Sequence, residues 1–294
     1  MIEVTAAELA TCAGIGVAGN FAGHLEQAGE AEDFVGVDAP ELAPKGIFPW
    51  FLPGSEDFLG AFPLSDASLE LPGAASEANL QIEPEVGVIF DARYEHGKIA
   101  SLSPRALGAF NDCSIRRPGA QKISEKKNWG ACSKGFARRC FAVEDFSRES
   151  AAHLRLASFL RRGDECAEYG IDSPVADYSY YADTLIDWLV GRLQNQRGGE
   201  GPLEDVGAQL ADCGSPERLL VGIGATRYTS FGEQNYLQAG DESIVVVYDE
   251  RSHSPKAVAD AARRGEEQKL EAASALSQRV TATRQSLAGA ARPI

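Results

Sequence analysis

Residues 81–90 read Gln-Ile-Glu-Pro-Glu-Val-Gly-Val-Ile-Phe. Two carboxylates, Glu83 and Glu85, stand one residue apart and lead directly into the apolar residues Val86, Val88, Ile89 and Phe90. Such a run predicts a β-strand, whose period of two puts both carboxylates on one face. Carboxylates that close repel each other unless positive charge lies between them. A divalent cation is the simplest candidate, because hard oxygen donors suit Mg²⁺, Mn²⁺ or Ca²⁺. The plain alternative is a solvated strand edge. Pro84 has no N–H for a ladder, which confines it to an edge or to the first residue of a strand. A site built there is expected at a rim, open to solvent.

The rest of the composition narrows the class. The chain has 294 residues, 44% of them hydrophobic, enough for a sizeable core in one large domain or one domain with appendages. Its formal net charge of −15 excludes a non-specific nucleic-acid binder and a protein that docks on anionic membranes. No apolar run approaches the ~20 residues of a spanning helix. The first residues, Met-Ile-Glu-Val-Thr-Ala-Ala-Glu, lack the basic and apolar regions of a signal peptide. Cysteines at 12, 113, 132, 140, 166 and 213 stand singly, with no Cys-x-x-Cys. A cytoplasmic protein with reduced thiols is the expectation.

Along the chain, Thr5 caps a short helix within residues 3–12. Gly14-Ile-Gly16-Val-Ala-Gly19 has the letters of a dinucleotide fingerprint, but a helix rather than a strand precedes it, so a small strand running into Asn20 is the better reading. A short helix follows to about Gly29. Residues 46–62 are rich in aromatics (Phe48, Trp50, Phe51, Phe58, Phe62), which suits core or subunit packing. Residues 91–98 read as a turn (Glu95-His96-Gly97), and residues 104–110 suggest a short helix. The alternation over 153–160 predicts a strand, with Arg162-Gly163-Asp164 as its hairpin turn. Leu185, Ile186, Leu189 and Leu193 define one face of a helix over 181–196. Residues 219–223 and 243–248 are short apolar strands. Residues 255–288, sparse in apolar side chains, read as a helical tail. Strands and helices do not alternate as βαβ, so the fold class expected is α+β, mainly β.

Three segments then occur in order: Glu83-Pro-Glu85, Asn111-Asp112-Cys-Ser114-Ile-Arg116, and Lys134-Gly-Phe136. This series resembles the fumarylacetoacetate hydrolase family, with its Glu-x-Glu strand, Asn-Asp-x-Ser-x-Arg segment and Lys-Ser-Phe segment. Asn20-Phe-Ala-Gly-His24 and Tyr236-Leu-Gln-Ala-Gly240-Asp241 are similar to further pieces of the pattern, and the resemblance covers roughly residues 13–250. It implies a mixed β-sandwich or roll with short peripheral helices, the C-terminal helical tail lying outside it. Residues 1–80 would add strands and loops to a metal-site core at 81–250, leaving 251–294 as the tail.

The resemblance further implies that Glu83, Glu85 and Asp112 ligate Mg²⁺ (or Mn²⁺ or Ca²⁺), that Lys134 is a catalytic cation, and that Arg116 and Ser114 bind substrate. His24 would be the water-activating base, which in the family works with a glutamate. Gln27 stands at that partner's place and Glu26 one residue earlier, so Glu26 is the available carboxylate. The implied activity is that of a metal-dependent C–C hydrolase or lyase on a small oxo-carboxylate, with decarboxylation, hydration and isomerisation using the same logic, in a homodimer. The alternative is a fold of this kind retained as a binding or assembly module, with the tail as partner surface. Two departures stand out: Lys-Ser-Phe-Asp is here Lys134-Gly-Phe-Ala137, and Gly-Thr-Pro is Gly224-Ala225-Thr226.

Overall fold

The computed structural model describes residues 1–30, 34, 40, 42–73, 79–116 and 120–283. Its strands are β1 (Ile2–Glu3), β2 (Ala13–Ala18), β3 (Gly46–Phe51), β4 (Ser68–Glu70), β5 (Leu80–Gln81), β6 (Pro84–Glu95), β7 (Lys98–Asn111), β8 (Ser114–Ile115), β9 (Gly135–Phe136), β10 (Arg139–Ala142), β11 (Leu154–Arg162), β12 (Glu165–Pro174), β13 (Arg218–Gly222), β14 (Glu242–Asp249) and β15 (Ala273–Thr281). The larger sheet runs β1-β10-β7-β6-β13-β2-β3, with β9 also paired to β7. The second runs β12-β11-β14-β15-β4, and β5 pairs with β8 apart from both. Both large sheets are mixed: β13 is parallel to β2 and β15 to β4, the other pairings being antiparallel. The fold is α+β, mainly β.

The opening stretch is the axis of the larger sheet. Pro84 is the first residue of β6, where its missing N–H removes least from the ladder. β6 and β7 form a long hairpin closed by His96 (φ +50°) and Gly97 (φ +75°), the two left-handed residues of a tight hairpin turn. Val86, Val88 and Phe90 belong to a core shared with Leu156, Val245, Val247 and Leu276 of the second sheet. Ile89, on the opposite face, packs with Phe48, Trp50, Phe110 and Phe136. The glycines of the dinucleotide-like run have a packing reason: a Cβ on Gly14 would lie 2.3 Å from Trp50, and one on Gly16 2.1 Å from Phe48. The Phe48 and Trp50 rings of β3 occupy the space over these glycines of β2, and Ile47, Phe48, Trp50 and Phe51 are buried in the chain's own core.

The short elements follow local chemistry. Thr5 and Glu8 form a reciprocal capping box for the helix Ala6–Leu9. The helix Ala182–Asn195 buries Leu185, Leu189 and Leu193, one face at helical spacing.

Two expectations fail. Residues 104–110 are not a helix but the second half of β7. Ala106, Ala109 and Phe110 are buried there, and Pro104 sits opposite Phe90 beside a register shift, where a residue without N–H is tolerated. The tail is helical only over Pro255–Arg264, between a Ser254 cap and Gly265 in the left-handed conformation. Ala273–Thr281 is a strand held between β14 and β4. Its small residues, Ala273, Ser274 and Ala275, suit burial between layers better than a solvated helix. Residues 284–294 of the expected tail lie outside those described.

Candidate metal centre

The site forms at the open end of the β6–β7 hairpin. Glu83 immediately precedes β6, Glu85 lies within it, and Asp112 follows the last residue of β7. Asp112 N–H donates to Glu83 O at 3.0 Å, and Glu83 N–H to Asn111 Oδ1 at 3.2 Å, which ties the two strand ends together. One carboxylate oxygen from each of Glu83, Glu85 and Asp112 lies within 4.8 Å of the others. All three are buried, 3%, 2% and 0% exposed, so the solvent-open rim expected for this stretch is instead an interior site. Burying carboxylates is costly unless each is paired or ligates a cation.

The pairing is uneven. Lys134, fully buried, donates to Asp112 Oδ1 and lies 5.9 Å from the Trp50 ring centre. Arg116 Nη2 is 2.5 Å from Glu83 Oε1, while its Nη1 meets Glu30 Oε1 at 2.5 Å and its Nε donates to Gln81 Oε1 at 2.8 Å. Lys127 Nζ lies 2.5 Å from Glu83 Oε2 and 2.7 Å from Asp112 Oδ2. Glu85 makes no ion pair among the described residues; its Oε2 accepts from Gly224 N–H at 3.0 Å. Burial, then the Asp112 and Glu83 charges, therefore push its carboxyl well above the usual range. Burial presses Glu83 the same way, but Lys127 and Arg116 hold it well below. For Lys134, burial outweighs Asp112 and lowers the ammonium from its ordinary range.

These carboxylates fit a divalent cation. Glu83 Oε1 and Asp112 Oδ2 are buried without a hydrogen bond, their ion-pair neighbours lying off the hydrogen-bonding directions. Glu85 rests against Gly222, where a Cβ would stand 2.5 Å from its Oε2. The donor set is all oxygen, as Mg²⁺ and Mn²⁺ prefer. A cavity of about 20 Å³, room for about one water, is lined by His24, Glu30, Phe48, Glu83, Glu85 and Lys127.

The other sequence-predicted residues are partly brought in. His24 is buried and lines that cavity. Its Nδ1 lies 2.9 Å from the Thr226 carbonyl, which can only accept, so the proton sits on Nδ1 and Nε2 carries the lone pair. Burial lowers its pKa and favours the neutral ring. Glu26, in contrast, is exposed on the helix His24–Gln27; the carboxylate that enters the cluster is Glu30, three residues beyond the place where a partner is expected. Gln27 has its own work: its amide accepts from Tyr228 N–H at 2.9 Å and donates to Tyr228 O at 3.3 Å, a pairing a carboxylate cannot copy. Ser114 is buried with its hydroxyl unpartnered.

Sequence reasoning missed Glu30, Lys127 and Gln278. Gln278, from β15, donates to Lys134 O at 3.1 Å and accepts from Asn111 Nδ2 at 3.1 Å, so the far end of the chain braces both site segments. It also explains Gly135, since a Cβ there would lie 2.5 Å from the Gln278 amide. The pairing of Lys127 with Lys126 in a polar run offered no periodicity to flag it.

No curated protein matches the sequence. Among solved structures, the fold is similar to that of Cg1458 with inhibitor, at 10% identity and a TM-score of 0.52, covering 92% of this chain and 77% of that one. It is similar also to 2-keto-3-deoxy-D-arabinonate dehydratase complexed with magnesium and 2,5-dioxopentanoate, at 13% identity and a TM-score of 0.51, covering 93% and 74%. At such identities the likeness is one of fold, the fumarylacetoacetate hydrolase-like fold that the motif order implied. In sequence, residues 30–280 match the model of a family of unknown function, DUF5718, and the chain belongs to that family.

Proposed function

We propose that this protein is a divergent member of the fumarylacetoacetate hydrolase family, an enzyme that acts on a small oxo-carboxylate with a divalent cation held by Glu83, Glu85 and Asp112. The observation that carries this reading is the convergence of three buried carboxylates within 4.8 Å at the end of one hairpin. When bound, a divalent cation supplies a Lewis acid for an oxo group and its neighbouring carboxylate. Lys134 sets an ammonium against Asp112, beside the place where negative charge develops as a bond next to a carbonyl breaks. His24 offers Nε2 as the base, with its tautomer set by Thr226. Arg116 presents a planar fork to a carboxylate; Glu30 and Glu83 fill it here. The dehydratase of the same fold, solved with magnesium and a dioxo compound, supports this substrate class. Hydrolysis of a C–C bond in a β-diketo acid, decarboxylation, hydration and isomerisation all use these groups.

Calorimetric titration with Mn²⁺ or Mg²⁺, carried to millimolar concentration, tests the reading. Glu85→Ala should abolish the binding measured in the unaltered protein; unchanged affinity in the variant overturns it.

A further inference from the structure

Lys127 belongs to none of the motifs above, and the proposed chemistry makes no use of it. Yet its side chain is 3% exposed and its ammonium stands between two of the three carboxylates, 2.5 Å from Glu83 Oε2 and 2.7 Å from Asp112 Oδ2. Its backbone N–H donates to Ser124 O at 3.0 Å, which fixes the turn that carries it, and its Nζ lies 5.3 Å from the Phe48 ring centre. Lys127 thus joins Arg116, Lys126 and Lys134 as a cation paired with Glu30, Glu83 or Asp112 in this cluster.

A divalent ion needs carboxylate oxygens at about 2.0–2.6 Å, so an ion shared by Glu83 and Asp112 would claim the space the ammonium holds. The cavity of about 20 Å³ that Glu83, Glu85 and Lys127 line is not lined by Asp112, so it does not supply the position between Glu83 and Asp112. Two cations a few ångströms apart in a buried site also repel strongly. The lysine has the advantage of its tether, because it gives up no translational freedom on entering the site.

We propose that Lys127 is the resident cation of this centre: its ammonium takes the place between Glu83 and Asp112, and a divalent ion binds only by displacing it. This rests on the triad being a cation site. Lys127 then sets the metal affinity of the protein and keeps the carboxylates compensated when no metal is at hand.

The test is calorimetry with Mn²⁺ on the full chain, stripped with chelator, comparing the unaltered protein with Lys127→Met, Lys127→Gln and Lys127→Arg. Gln keeps the donor without the charge and covers the case in which Met does not fold. Removing the charge (Met, Gln) should tighten Mn²⁺ binding by more than about tenfold, a modest outcome for a unit charge so near the ion. Arg, which retains it, should leave binding weak. Equal affinity in all four proteins overturns the role of Lys127 while the metal site stands. Absence of Mn²⁺ binding in all four overturns the metal site itself, and the inference with it. Thermal unfolding adds an independent readout: Mn²⁺ should raise the melting temperature of Lys127→Gln more than that of the unaltered protein, and an equal or smaller rise counts against the proposal.

Discussion

Two ion-pair networks of this protein have nearly the same contact lengths and different physics. At the hairpin end, Lys127 meets Asp112 at 2.7 Å, with side chains 3% and 1% exposed. On the second sheet, Arg155 meets Asp172 at 2.6 Å, with side chains 21% and 23% exposed, and Tyr248 Oη donates to the other Asp172 oxygen at 2.6 Å. Water can take over from either partner in the second network. It cannot in the first, where a charge that loses its partner remains buried and unsolvated. Distance alone therefore says little about what an ion pair contributes; burial decides it.

The contrast can be broken by mutation, starting where the effect should be largest. Lys134→Met leaves Asp112 with one cation fewer in a dry site and should destabilise the protein by about 3–5 kcal/mol in urea unfolding. Adding Asp112→Asn should recover part of that loss, since the double variant buries no orphaned charge. A single-variant loss below about 1 kcal/mol would erase the distinction between the networks. Gln278→Ala removes the brace from the second sheet to Lys134 and Asn111, and should cost about 1–3 kcal/mol through unsatisfied buried groups.

Glu85 sharpens the comparison through pH. Its folded-state carboxyl titrates well above the usual value, so the folded protein holds this proton more tightly than the unfolded chain. That contribution to stability is complete below the unfolded value near 4.5 and is lost as pH rises toward the folded one. In chelator, Glu85→Gln should gain melting temperature relative to the unaltered protein on going from pH 5 to pH 8. A constant difference across that range would show that Glu85 is compensated after all. The smallest effect belongs to Arg155→Ala, which should change stability by less than about 1 kcal/mol, and less again at high salt.

The candidate ligands were legible in two ways. The strand period puts Glu83 and Glu85 on one face, whereas Asp112 and Lys134 stood out only through the resemblance of their segments, since 104–110 read as a helix and not as the strand that leads to Asp112. The same local logic found the Thr5 cap, the 181–196 helix and the turns at His96-Gly97 and Gly163. The two misread elements have one origin. Residues 104–110 and 273–281 contain alanine, serine and glycine in patterns that satisfy either period, and only the neighbouring strands β6, β14 and β4 decide between them. Glu26 was chosen by sequence neighbourhood, whereas the chain delivers Glu30.

By itself, then, the order of residues put Glu83 and Glu85 on one face, since strand period is a short-range constraint, and marked Asp112 only through the resemblance of its segment. What surrounds them was decided by the tertiary structure alone. Lys127, Glu30 and Gln278 come from separate segments, and each enters the site because it neutralises or satisfies a group buried there by distant packing. Charge compensation acts through space, so sequence spacing carries no record of it.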